Sequence, residues 1–113
     1  ERDALAGCVA HPGLAPLLAE LTPDHFDLDV HRRLYAHLAQ GGSPPAELVP
    51  LLAELDARAE AERIDEATAK ELVLRLRERY LRRELARSAG DLERTRELQA
   101  ALARIREAVA GLV

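Results

Sequence analysis

The chain has 113 residues, the length of one domain, and one cysteine, Cys8, so an internal disulfide framework is excluded. Nearly half of its residues are hydrophobic, yet aromatics are reduced to Phe26, Tyr35 and Tyr80, and no apolar run is long enough to span a bilayer. The net charge of −4 argues against a generic nucleic-acid binder. That charge is uneven. Residues 1–60 carry ten acids and four Arg; residues 61–113 carry ten acids and twelve bases, with six Arg inside 75–87. No signal-peptide pattern is present, and a lone cysteine fits a reducing, cytoplasmic setting. The chain starts at Glu1 and contains no methionine, so it is expected to be a domain of a longer protein.

Ala, Leu, Arg and Glu dominate and are strong helix formers, and no β-branched alternating run marks a strand. The expected class is all-α: a small helical bundle head over residues 1–64, then a long helix and C-terminal antiparallel helical hairpin over 65–113. Leu5, Cys8 and Val9 have helix spacing, and Pro12-Gly13 ends that element. Leu14, Leu17, Leu18 and Leu21 make a short apolar turn. Thr22 then caps a turn opened by Pro23.

"DHFDLDVHRRLYAHL", residues 24–38, concentrates three histidines and three aspartates. Asp27 or Asp29 is expected to cap the following helix, where carboxylates accept orphan N–H groups and meet the positive dipole end. Val30, Leu34 and Leu38 repeat at helix spacing with Tyr35 beside them, and Gly41-Gly42 ends the helix. His31 and His37 lie about 120° apart around it, whereas paired helical zinc ligands want i, i+4. His25 lies outside it. No metal site is expected, and His31 is read as packing on Leu34 and Tyr35. No nucleophile or glycine loop accompanies these residues, so no catalytic site and no cofactor are expected either.

Ser43-Pro44-Pro45 opens a helix with Leu48, Leu51, Leu52 and Leu55 on one face, and Pro50 inside this pattern should kink or split it. Residues 56–63 lack an apolar stripe and read as a solvated helix or loop. Asp65 is an N-cap, and helical pattern runs to about Ala89. Gly90-Asp91 breaks it, and a second arm runs from Leu92 to about Leu112. Two heptad seams follow: Leu74, Glu78, Leu81, Leu85, Ser88 and Leu92 on the first arm, and Thr95, Leu98, Leu102, Ile105, Val109 and Leu112 on the second. Glu78 and Ser88 weaken the first. Leu72, Val73, Leu76 and Tyr80 face roughly 140° away from the later seam residues, so the start of the long helix should pack on the head. Arg75, Arg79, Arg82 and Arg83 form a further stripe, read either as a solvated face or as a docking face for an acidic partner.

The stretches "ERDALAGCVAHPGLAPLL", "HFDLDVHRRLYAHL" and "ELVLRLRERYLRRELARSAGDLERTRELQAALARIREAV" together cover nearly the whole chain. They resemble the C-terminal helicase-interaction domain of bacterial replicative DNA primase (DnaG type), with Phe26, His31-Arg32 and Leu34-Tyr35 matching its central motif. The resemblance implies a non-enzymatic domain that tethers primase to the N-terminal domain of the hexameric replicative helicase, with mutual stimulation of the two enzymes. It implies a cytoplasmic place at the bacterial replication fork; the net acidic charge and the lack of an apolar span argue for no direct nucleic-acid or membrane partner, and the stripe offers Arg75, Arg79, Arg82 and Arg83 as candidate partner-binding residues. Two alternatives stand beside it: the N-terminal domain of the helicase itself, and a small helical nucleic-acid-binding module using the Arg stripe.

Overall fold

The computed structural model describes residues 1–112; Val113, placed above in the second arm, lies outside the described residues. Those residues are all-helical: α1 (Arg2–Ala10), α2 (Ala15–Leu18), α3 (Asp29–Gln40), α4 (Val49–Ala61), α5 (Glu66–Arg87) and α6 (Leu92–Ala110), with 3₁₀ turns at Pro12–Leu14, Pro23–His25 and Ala46–Leu48. No helix among them is long and apolar enough to cross a membrane.

One large core joins α1 through the first half of α5. Leu5, Phe26, Leu34, Leu55 and Val73 are almost completely buried in it, with Ala69 and Leu76 contributed by α5. Helix α1 is its centre, packed on both α4 and α5. The α1–α5 approach is close because position 7 is glycine: a Cβ there would stand 2.5 Å from the Ala69 Cβ, so any side chain would push the helices apart. Beyond Leu76, α5 leaves this core and packs along α6, where Leu81, Leu98 and Leu102 are buried with Tyr80, Leu85, Ala101 and Ile105 around them.

Local structure departs from the sequence expectation in three places. Pro50 neither kinks nor interrupts a helix. It is the second residue of α4, after the Ala46–Leu48 turn, where a missing N–H breaks no intrahelical bond. Residues 56–61 are helix, one of the two readings, but not a wholly solvated one, because Ala59 is buried in the core. Helix α4 ends with Arg63 at φ +53°, and the N–H of Arg63 and of Ile64 return to the carbonyls of Glu60 and Ala59. This is a Schellman stop built without glycine, its αL residue followed by the buried Ile64. The third departure is the cap of α3. Neither Asp27 nor Asp29 caps it: Asp27 reaches Arg83, and Asp29 pairs with Arg33 one turn on.

The helices of the C-terminal half start conventionally. Asp65 accepts from the Thr68 N–H at 2.7 Å and Asp91 from the Arg94 N–H at 2.9 Å. The turn between α5 and α6 needs Gly90 at φ +90°. The polar seam positions meet each other, Ser88 Oγ lying 2.8 Å from Thr95 Oγ1.

Candidate functional site

The stretch 24–38 folds onto the outer side of α5 and meets the Arg stripe there. Its centre is Glu1. The Glu1 carboxylate accepts from the backbone N–H groups of Asp27 (2.9 Å) and Leu28 (3.3 Å) at the entry to α3, from Arg79 Nη2 (3.1 Å), and from the ring of His31. Burial alone would raise this carboxyl. The donors from Asp27, His31, Leu28 and Arg79 overcome that and hold it at about 2. An ionised carboxylate only accepts, so His31 carries its proton on Nδ1. A remote residue thus supplies what a local aspartate was expected to supply, and His31 is held by a hydrogen bond as well as by packing.

Arg79 also donates to the His25 carbonyl at 3.1 Å, and its Nε is buried without a partner. Arg83 grips Asp27 with both terminal nitrogens, at 2.8 and 3.3 Å, and that contact is the first cause of a lowered Asp27 carboxyl. Arg75 stands 3.6 Å from Glu71 and 3.7 Å from Glu78, and Arg82 3.7 Å from Glu78. Sequence spacing placed these four arginines off the seam, and they are off it. It carried no signal that Arg79 and Arg83 reach back across the head. Arg75 and Arg82 remain the outward pair, with side chains 54 % and 59 % exposed.

His25 is buried under Tyr80, with ring centroids 4.0 Å apart and an interplanar angle of 24°. Its Nδ1 faces the Thr22 N–H (3.0 Å) and carbonyl (3.1 Å), and Nε2 faces Arg77 Nη1 at 3.0 Å. A guanidinium has only donors, so Nε2 must accept from it and the ring must stay neutral. Burial, and then the Arg77 charge, push the ring down to about 4. The remaining motif residues also tie the head together. Arg32 Nε donates to the Phe26 carbonyl at 2.8 Å, and Tyr35 lies beside Phe26 (5.2 Å between centroids) with its hydroxyl 2.6 Å from the Leu21 carbonyl. His11 Nε2–H donates to the Ile64 carbonyl at 2.7 Å. Burial drives the Cys8 thiol up to about 12, which leaves no reactive thiolate. Among the described residues no three His, Cys, Asp or Glu side chains converge as a metal set would.

Compared with known proteins, the chain significantly matches no family model, no curated protein sequence and no solved structure.

Proposed function

We propose that this chain is a helicase-interaction domain of the bacterial replicative primase type, which tethers a primase to a hexameric helicase through its α5–α6 side. The observation that carries the reading is the double use of α5: its first half completes the core of the head, and its second half shares a smaller core with α6. An arm anchored in this way presents a surface at a fixed angle to the head, which is what a tether between two enzymes needs. The motif residues that support the resemblance, Phe26, His31, Arg32 and Tyr35, all lie at the joint between α3 and the rest of the head. On this reading Arg75 and Arg82 are the outward docking charges, while Arg79 and Arg83 hold the joint.

A nucleic-acid module would need phosphate-neutralising charge free of other partners. Each of the four stripe arginines already stands within 4 Å of a carboxylate of the same chain. The experiment is a titration of the chain, and of its Arg75→Glu/Arg82→Glu variant, against the N-terminal domain of a bacterial replicative helicase and against labelled single-stranded DNA. Saturable helicase binding, weakened roughly tenfold in the variant and falling with salt, is expected, as for rim charges. Tight DNA binding lost in the variant, without helicase binding, would favour the nucleic-acid alternative.

A further inference from the structure

On the opposite side of α5, a cleft of about 430 Å³ opens where the head and α6 diverge. Its apolar wall comes from three elements: Leu17 of the head, Leu74 and Leu81 of α5, and Ala101, Ile105 and Ala108 of α6. Its charged rim is Lys70, Arg77 and Arg104 against a single acid, Glu20. Lys70, Leu74, Arg77 and Leu81 follow one another at i, i+4, i+7 and i+11, so they share a face of α5. That face lies roughly 120° around the helix from the Arg75/Arg82 stripe.

The rim cations differ from the arginines that hold the head together in one respect. Arg2, Arg58, Arg79 and Arg83 are all paired with carboxylates elsewhere in the chain. Among the described residues, no carboxylate lies within ion-pair distance of Lys70, Arg77 or Arg104. Other arginines are unpaired too, but these three are gathered around one apolar cleft.

We propose that this cleft docks an acidic partner segment that carries apolar side chains: leucine-like anchors against the accessible Leu17, Ile105 and Ala108, over the buried Leu74 and Leu81, with flanking carboxylates on Lys70, Arg77 and Arg104. The complement of the site decides its occupant. An apolar wall selects aliphatic or aromatic side chains, and three unpaired cations select negative charge beside them. Nucleic acid fits less well. Tyr80, the nearby aromatic ring, is already stacked on His25, so it offers no platform for bases. The inference does not rest on the identity of the tethered partner, and it concerns a face of α5 other than the Arg75/Arg82 stripe.

The test uses the full chain. A display library of short random peptides is selected on it, and the enriched sequences are titrated against wild type, Lys70→Glu/Arg104→Glu and Arg96→Glu/Arg106→Glu. Lys70 and Arg104 are exposed and have no carboxylate partner to lose, so their reversal leaves the fold intact. The expected result is enrichment of sequences with Asp or Glu beside Leu, Ile or Phe. Amide shifts should centre on Leu17, Ile105 and Ala108, and affinity should fall roughly tenfold in the first variant only, as two reversed rim charges would give. Four results would overturn the proposal: no enrichment, equal binding by peptides with Lys in place of the acids, shifts centred elsewhere, or equal loss in both variants. Occupation of the cleft by labelled single-stranded DNA or by a second copy of the chain would overturn it as well.

Discussion

The two halves of α5 sit in different surroundings. Around Val73 and Leu76, α1, α2 and the Pro23–His25 turn pack on the helix, and the burial is nearly complete. Around Leu81 one neighbour, α6, does the covering, and Leu85 and Ile105 stay only half-buried. Hydrophobic stabilisation scales with apolar area removed from water, so the same kind of residue contributes less in the second half than in the first. A helical pair held by a few leucines is marginal by itself. What keeps α6 in place is that its partner helix is already fixed by the head.

Truncation in the larger core should have the largest effect. Phe26 is 1 % exposed and touches both α3 and the joint to α5, so Phe26→Ala should cost about 3–5 kcal/mol and lower the melting of head and arm together. Thermal denaturation followed by circular dichroism checks this; an unchanged midpoint would remove Phe26 from the core.

Acid is the next lever, because it acts on the joint. The His25 ring sits at about 4 in the fold against its ordinary 6.5, so the unfolded chain takes up the proton first. Stability is flat above about pH 6.5 and falls as pH drops towards about 4, by no more than about 3 kcal/mol. Glu1, held at about 2 against 4.5, adds a second loss between those two values. Urea midpoints measured from pH 7.5 to 4 should show the first slope, and His25→Asn should flatten it. A slope that survives in the variant would assign it to other groups.

Leu102→Ala sharpens the contrast from the other side. The cavity term should be about 2–3 kcal/mol, but it appears as local opening of α6 rather than as global unfolding. Amides of Leu98–Val109 should exchange faster while those around Leu34 and Val73 keep their protection. The smallest effect is expected from Asp91→Ala, which removes the α6 cap for roughly 1 kcal/mol and should fray the first turn of α6 alone.

The sequence made some of this legible and hid the rest for a physical reason. Heptad spacing picked out Leu81, Leu98 and Leu102, and the switch of apolar face along α5 separated Leu76 from Leu81. Asp65 was recognisable as a cap because a cap is a local bond. Glu1 was not, because its bonds reach 26 to 78 positions along the chain and no spacing encodes them. The same holds for Arg83 on Asp27 and for the stack of His25 on Tyr80. Ser88 and Thr95 each looked like a flaw in a seam, and the fold sets them against one another. The cleft behind α5 was hidden too, since Leu17, Leu74 and Ile105 converge only once three elements are in place.

The claim that one helix serves two units of unequal strength is tested most directly by native-state hydrogen exchange read residue by residue along α5. Protection should be highest from Ala69 to about Leu76, at the level of global unfolding. It should step down between Leu76 and Leu81, and from there to Arg87 it should match that of α6. Uniform protection from Ala69 to Arg87, or an α6 that outlasts the head, would contradict the account.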